Sequence, residues 1–222
     1  MNFFVAIPAR KNSKRLKNKN ILKINNKELI QYSIDIAVKI KNSSVAVISD
    51  SKKIIKISKK YKNVDTSYKR PKKFSEDKTS MYQTINDAIN WFEKKNNENI
   101  DHIILLQPTS PNRNLKQIKE IINFYKRNNL SSLTTISPIN INNNSILSKT
   151  KNGYTFLKKK GPLYKIDGSL YICSKNFLKK YKNFSVENKT YFFLNKNQFS
   201  IDIDLNEDFL LAKTIMESND KK

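Results

Sequence analysis

The sequence predicts an α/β fold, a mostly parallel sheet with helices on both faces. Three observations carry this. Short apolar runs rich in Ile, Val and Phe recur along the 222 residues. Amphipathic stretches of helical length separate them, and polar capping residues open several of those stretches. Strand followed by helix, repeated, is the pattern of βαβ units. A chain of this length supports one substantial core, so residues 1–222 read as a single domain.

The elements follow in order. A strand at 3–9 (FFVAIPA) empties into a basic loop, and a helix follows near 28–41. VAVIS at 45–49 is a second strand, and Asp50-Ser51 then signals the start of a helix over 51–61. Ser80-x-x-Gln83 is a capping box ahead of a helix over 80–95. HIILLQ at 102–107, a helix over 115–129 and SLTTIS at 132–137 continue the alternation. Residues 139–166 break it. They hold two of the three glycines and only weak alternation, and read as a hairpin or small excursion beyond the main sheet. SLYIC at 169–173, a helix over 175–181, a strand SIDID at 200–204 and a helix over 207–218 behind Asn206 complete the chain.

The formal charge of +24 raises the possibility of a nucleic-acid-binding module. Of the 43 basic residues, however, only Arg10, Arg15, Arg70, Arg113 and Arg127 are arginine. The lysines are spread over every segment, and no standard reader motif occurs. Nucleic-acid readers use arginine for bidentate contacts, so no specific nucleic-acid partner is expected and the scarce arginines are the informative cations. No apolar stretch is long enough to span a bilayer, and FFVAIPA is too short for a secretory signal. Cys173 is the only cysteine, which excludes a disulfide framework and a Cys-based zinc site. The expectation is a soluble, cytoplasmic protein without a membrane partner. His102 has no partner at metal-ligand spacing and Cys173 lies in an apolar strand; both read as packing residues.

Ligands of such sheets sit outside the carboxyl ends of the strands. After the first strand come Arg10, Ser13, Lys14, Lys19 and Asn20, in a stretch with six Lys or Arg among eleven residues. A turn there exposes backbone N–H groups, and the cations add charge-assisted donors suited to a polyphosphate. "KRPKKFSED" places Arg70, Pro71 and Asp77 ahead of Ser80, where an extended segment and a polar helix start can present donors to a base or ribose. "LLQPTSPNR" ends a strand in Gln107, Thr109 and Ser110 between two prolines, a stiff polar rim suited to a sugar or amide. In "SIDIDLNEDF" Asp202 and Asp204 alternate with isoleucine, so a strand puts both carboxylates on one face, about 7 Å apart. Such a pair can hold Mg²⁺ together with substrate phosphates.

"IPARKNSKRLKNKN", "ISDS", "KRPKKFSED", "LLQPTSP", "DGSLYI" and "IDIDLNEDF", in this order, resemble the bacterial CMP-sialic acid synthetases (acylneuraminate cytidylyltransferases). The resemblance covers Val5 to about Ala212. It implies a Rossmann-like three-layer nucleotidyltransferase fold with a small dimerisation excursion at 139–166, and a homodimer. It implies transfer of CMP from CTP to the anomeric hydroxyl of a nonulosonic acid, N-acetylneuraminate or a related sialic acid, with release of pyrophosphate and use of Mg²⁺. Kdo is an alternative acceptor. Arg10, Ser13, Lys14, Lys19 and Asn20 then fall on CTP-binding positions, with Arg70, Asp77 and Ser80 facing the nucleoside. Gln107, Thr109, Ser110 and Lys165 fall to the sugar, and Asp202 and Asp204 to the metal. Arg10 and Lys19 become the catalytic cations, and either the metal lowers the pKa of the attacking hydroxyl or Asp204 accepts its proton. The chain departs from the family at Lys11-Asn12, where Gly-Gly is common, and at Lys165-Ile166-Asp167-Gly168, where Arg-x-Asn-Gly is common. Lysine lacks the fork with which arginine clamps a carboxylate, which leaves the acceptor open.

Overall fold

A computed structural model of the chain describes residues 1–76, 79–139, 146–151, 153–156, 161–196 and 200–219. Its main sheet contains β1 (Phe3–Pro8), β4 (Ser43–Ile48), β5 (His102–Leu105), β6 (Ser132–Ile139), β9 (Leu163–Ser174) and β10 (Tyr191–Leu194). The spatial order is β10-β6-β9-β5-β1-β4. Only β9 runs antiparallel to its neighbours, so the sheet is mostly parallel, as expected.

Two-sided burial explains why β1 reads as a continuous apolar run. Phe3, Val5 and Ile7 face a layer built from α1 (Leu29–Ala37), α2 (Lys52–Ser58) and α4 (Leu115–Arg127). Phe4 and Ala6 face the opposite layer, α3 (Met81–Asn96) and α5 (Lys175–Tyr181). The capping signals act as read. Ser51 accepts from the Ile54 N–H, and Ser80 and Gln83 form a reciprocal capping box at α3. His102 and Cys173 are packing residues: the His102 ring meets Tyr125 edge-on and shares a 2.9 Å hydrogen bond with its hydroxyl, while Cys173 is fully buried.

A chain with three glycines must make its left-handed turns another way, and it uses asparagine. Asn25 and Asn26 both have positive φ and form the two-residue turn of the hairpin β2 (Lys23–Ile24) and β3 (Lys27–Glu28). Asn18, Asn42, Asn97, Asn129 and Asn188 occupy further left-handed positions.

Three expectations are corrected. SIDID at 200–204 is extended but joins no sheet. Its inward residues, Ile201 and Ile203, instead pack with Ile24, Leu29, Ala212 and Met216 in a satellite core that also seats α6 (Asn206–Asn219). The sixth strand of the sheet is β10, whose run TYFFL lacks the alternation that flags a half-buried strand. The strand around SLYIC is longer than 169–173 because its first half continues the antiparallel arm with β6, Ile136 opposite Ile166 and Ile139 opposite Leu163. Within 139–166, β7 (Leu147–Thr150) and β8 (Gly153–Phe156) pair as a separate two-stranded sheet, Leu163 to Ile166 belong to β9 of the main sheet, and 140–145, 152 and 157–160 lie outside the described residues. Among the described residues no helix is long and apolar enough to cross a membrane.

Candidate active site

A cavity of about 440 Å³ opens beyond the C-terminal ends of β1 and β5. Its volume lies in the range of small-molecule sites. The loop after β1 forms one wall through Arg10, Ser13, Lys14, Lys19 and Asn20. The loop is tied at both ends. The Lys11 N–H donates to Asp50 Oδ1 at 2.7 Å, and the buried Asn20 donates through Nδ2 to the Arg10 carbonyl at 3.0 Å. Neither Lys11 nor Asn12 adopts positive φ, so the loop closes without glycine there; its left-handed residue is Asn18, with φ 56°.

Arg70 lines the second wall. Its guanidinium donates to the Phe74 carbonyl, and Nη2 also reaches Thr84 Oγ1 on α3 at 3.3 Å. Ser80 caps α3 and is exposed; its neighbours Thr79 and Met81 line the cavity, and Ser80 itself does not. Asp77 lies outside the described residues.

Gln107 and Thr109 form the third wall, on a turn closed by the Ser110 N–H to the Gln107 carbonyl at 3.3 Å. The Thr109 carbonyl accepts from the Ile203 N–H at 2.7 Å, which docks the acidic segment onto this turn. Ser110 is buried, with its hydroxyl toward the Asp167 carbonyl. Lys165 is exposed on β9, outside the cavity lining.

The two acidic residues have different surroundings. Asp202 is open to solvent on one side, yet its carboxyl occupies a recess beside Gly168. Burial pushes its pKa up, and the negative charge of Asp204 adds to this, against the Thr109 side chain, Lys19 and Arg113. Burial acts in the same direction on Asp204 but is outweighed. Lys19 Nζ donates to Asp204 Oδ1 at 2.9 Å and Arg15 Nη2 lies 2.7 Å from Oδ2, which hold this carboxyl below the ordinary range. Lys19 also donates to the Ile203 carbonyl at 2.6 Å.

The described residues contain no cluster of three or more His, Cys, Asp or Glu suited to a metal. Mg²⁺ keeps several waters and takes substrate phosphates as ligands, so it does not require an all-protein cage; of the two expected carboxylates Asp204 lines the cavity, whereas Asp202 is absent from its lining.

Arg15 and Gly168 were missed as site residues at this end of the sheet, and Arg113, the last residue of the LLQPTSPNR rim, was given no role of its own. The available signal was the scarcity of arginine. Four of the five, Arg10, Arg15, Arg70 and Arg113, converge here although the rest of the chain uses lysine almost throughout.

Comparison with known proteins agrees with this geometry. A family model described as cytidylyltransferase matches residues 4–219. A CMP-N,N'-diacetyllegionaminic acid synthase of Legionella pneumophila is 29% identical over 230 residues, covering 99% of this chain and 98% of that protein. An N-acylneuraminate cytidylyltransferase of Streptococcus agalactiae is 27% identical over 92% of this chain, which spans 51% of that longer protein. Among solved structures, a CMP:2-keto-3-deoxy-manno-octonic acid synthetase complexed with CTP has a TM-score of 0.71 at 14% identity, covering 99% of this chain and 100% of that one, and so shares the nucleotidyltransferase fold. With its model matched along almost the whole length and its basic loop, polar turn and acidic segment assembled around one cavity, this chain belongs to the cytidylyltransferase family.

Proposed function

We propose that the enzyme transfers CMP from CTP to the anomeric hydroxyl of a nonulosonic acid, N-acetylneuraminate or a related sialic acid such as a legionaminic acid, and releases pyrophosphate. The observation that carries this is the meeting, in one cavity, of a cationic loop, a polar turn and the Asp204 carboxylate. The names of the Legionella and Streptococcus relatives support the substrate class.

In this reading Arg10, Lys14 and Lys19 neutralise the triphosphate, while Ser13 and Asn20 shape the loop around it. Arg70 holds the nucleoside wall, together with the α3 start at Ser80 and the segment carrying Asp77. Gln107 and Thr109, which line the cavity, seat the sugar; Ser110 is buried behind them, and Lys165, exposed on β9, lies outside the lining, so neither is given a sugar contact. The sugar oxygen attacks the α-phosphorus as the bond to pyrophosphate breaks, and the hydroxyl proton passes to Asp204 or to solvent. Positioning and charge neutralisation supply most of the catalysis in such a displacement. Asp202 and Asp204 would hold Mg²⁺, which when bound supplies further neutralisation of the triphosphate.

We also propose a homodimer. Tyr164 and Ile166 on the β9 arm, with Tyr191, Phe192 and Leu194 on the edge strand β10, are each more than 40% exposed. Apolar surface on an open sheet edge calls for cover, and a second copy of this chain supplies it. Sedimentation of the wild type against a Phe192→Glu variant tests that cover.

The activity is tested by pyrophosphate release from each of the four NTPs with N-acetylneuraminate, N,N'-diacetyllegionaminate and Kdo. The expected result is release with CTP and a nonulosonic acid. Release with Kdo alone would move the acceptor, and no release with any pair would overturn the proposal.

A further inference from the structure

We propose that Arg113 is a positioning residue that fixes the sugar-side wall of the site, an inference that rests on the cytidylyltransferase reading above. Its guanidinium spends its donors on three different parts of the fold. Nη2 donates to the Gln107 carbonyl at 2.6 Å, Nε to the Ser169 carbonyl at 2.6 Å, and Nη1 to Ser33 Oγ on α1 at 3.0 Å.

The need for such a clamp follows from the sheet. β5 and β9 pair as far as Leu105 opposite Tyr171. On its other side β9 leaves register with β6: Thr134 faces Tyr171, but Ile136 faces Ile166, so residues 167–170 bulge out of the ladder. Gly168 at the bulge has φ 72°. The carbonyls of Gln107 and Ser169 lie just past the last β5–β9 pair, where buried backbone groups need other donors. Arg113 serves both with one planar fork.

Two further contacts support the role. Ser33, fully buried, donates to the same Gln107 carbonyl at 3.2 Å, so the peptide that carries Gln107 is held from α1 as well. On the β9 side, Asp167 accepts from Thr135 Oγ1 at 2.6 Å, the Ser169 N–H at 2.9 Å and Asn195 Nδ2 at 2.7 Å, which makes the bulge rigid. Burial pushes the Arg113 pKa down to about 10, with Asp167 and Asp202 opposing the drop, so the clamp remains charged at neutral pH. Arg113 is absent from the cavity lining. It acts on the sugar through Gln107, which lines the cavity, and braces the Gly168–Ser169 peptide behind that wall.

The test compares Arg113→Lys, which keeps the charge and loses the fork, with Ser33→Ala, which removes one support of the same carbonyl. Arg113→Lys should raise KM for the nonulosonic acid about tenfold or more while KM for CTP changes by less than about threefold; Ser33→Ala should shift the sugar KM in the same direction by about threefold. A parallel rise of both KM values, or no change in either, would overturn the inference. Should Arg113→Lys fail to fold, an unchanged sugar KM in Ser33→Ala overturns it alone. If the wild type turns over no nonulosonic acid, the functional reading fails instead. Hydrogen exchange then decides the wall: amides of Thr109, Ser110 and Leu170 should exchange faster in either variant than in wild type, with the Arg10–Asn20 loop unchanged. Uniform exchange across both regions would overturn the clamp.

Discussion

A Cβ at position 168 would lie 2.7 Å from Ser110 Oγ and 3.3 Å from Asp202 Cγ, in a backbone whose φ of 72° already disfavours any side chain. Gly168→Ala should therefore cost about 1–3 kcal/mol of stability. The closer contact requires Ser110 to move, which disturbs the Gln107–Ser110 turn, so sugar KM should rise while CTP binding, read by calorimetry, stays near wild type. Loss of CTP binding to the same extent would count against so local an effect. The neighbouring carboxylates make the second prediction at this scale. Asp202→Asn and Asp204→Asn keep size and polarity and delete charge from a segment anchored by Ile203, so both variants should fold; Asp204→Asn, which leaves the largely buried Lys19 without its carboxylate, should lower the melting temperature more than Asp202→Asn. Pyrophosphate release at limiting Mg²⁺ should fall by about 100-fold or more. Near-wild-type release in both variants would remove the metal assignment. Residue chemistry was legible where spacing carried it, as in the Ile–Asp alternation, which without a sheet still buries Ile203 on one side and brings Asp204 to the cavity on the other. It was not legible for Arg113, because which carbonyls lose their ladder partners depends on a bulge that no local pattern announces.

The strands and helices that could be read were those with two independent signals. α3 has a capping box and an amphipathic face, and its start falls at the expected residue. β10 has no alternation, although Asn188 and Asn195 flank it, and it lies on an edge with much of its apolar surface exposed, so burial leaves little imprint on its sequence. SIDID failed for the opposite reason: its alternation is real but is satisfied by a satellite core rather than by strand partners. Contacts between elements were beyond local reading altogether. One of them, the ion pair from Glu93 on α3 to Lys175 at the start of α5, has a testable consequence. Lys175 Nζ lies 2.5 and 2.6 Å from the two Glu93 oxygens, and Oε1 accepts the Ile100 N–H at 2.8 Å. Burial raises the Glu93 pKa, but the Ile100 N–H and Lys175 outweigh it and hold the pKa below its usual value. A depressed folded pKa gives stability that is present above the unfolded value, about 4.3, and is lost as pH falls through the folded one. Urea unfolding of Glu93→Gln should thus show a deficit against wild type at pH 7 that shrinks below about pH 4. A deficit independent of pH would mean that packing, not charge, joins these helices.

At the scale of the whole molecule the net charge of +24 admits two opposite interpretations, and the structure separates their physics. Most lysines sit on solvated surface, where salt screens them within about 8–10 Å at physiological ionic strength. The cavity cations differ: the Lys19 side chain is only 12% exposed and is held by Asp204 and the Ile203 carbonyl, whereas Arg15 at its rim is 64% exposed. A diffuse polycation binds duplex DNA through counterion release, so such binding should be insensitive to sequence and collapse between about 50 and 200 mM salt. In the proposed reading cytidylyl transfer draws on the recessed cations and on shape, and these are screened less. On one preparation, titrated across that salt range, DNA binding should vanish while CTP-dependent pyrophosphate release keeps most of its rate. The moderate loss that does occur should fall mainly on KM for CTP, because the rim cation Arg15 is lost to screening before Lys19. A sequence-selective DNA complex persisting at about 200 mM salt, beside no turnover of CTP with any nonulosonic acid or Kdo, would reverse the assignment and make the basic surface the functional one.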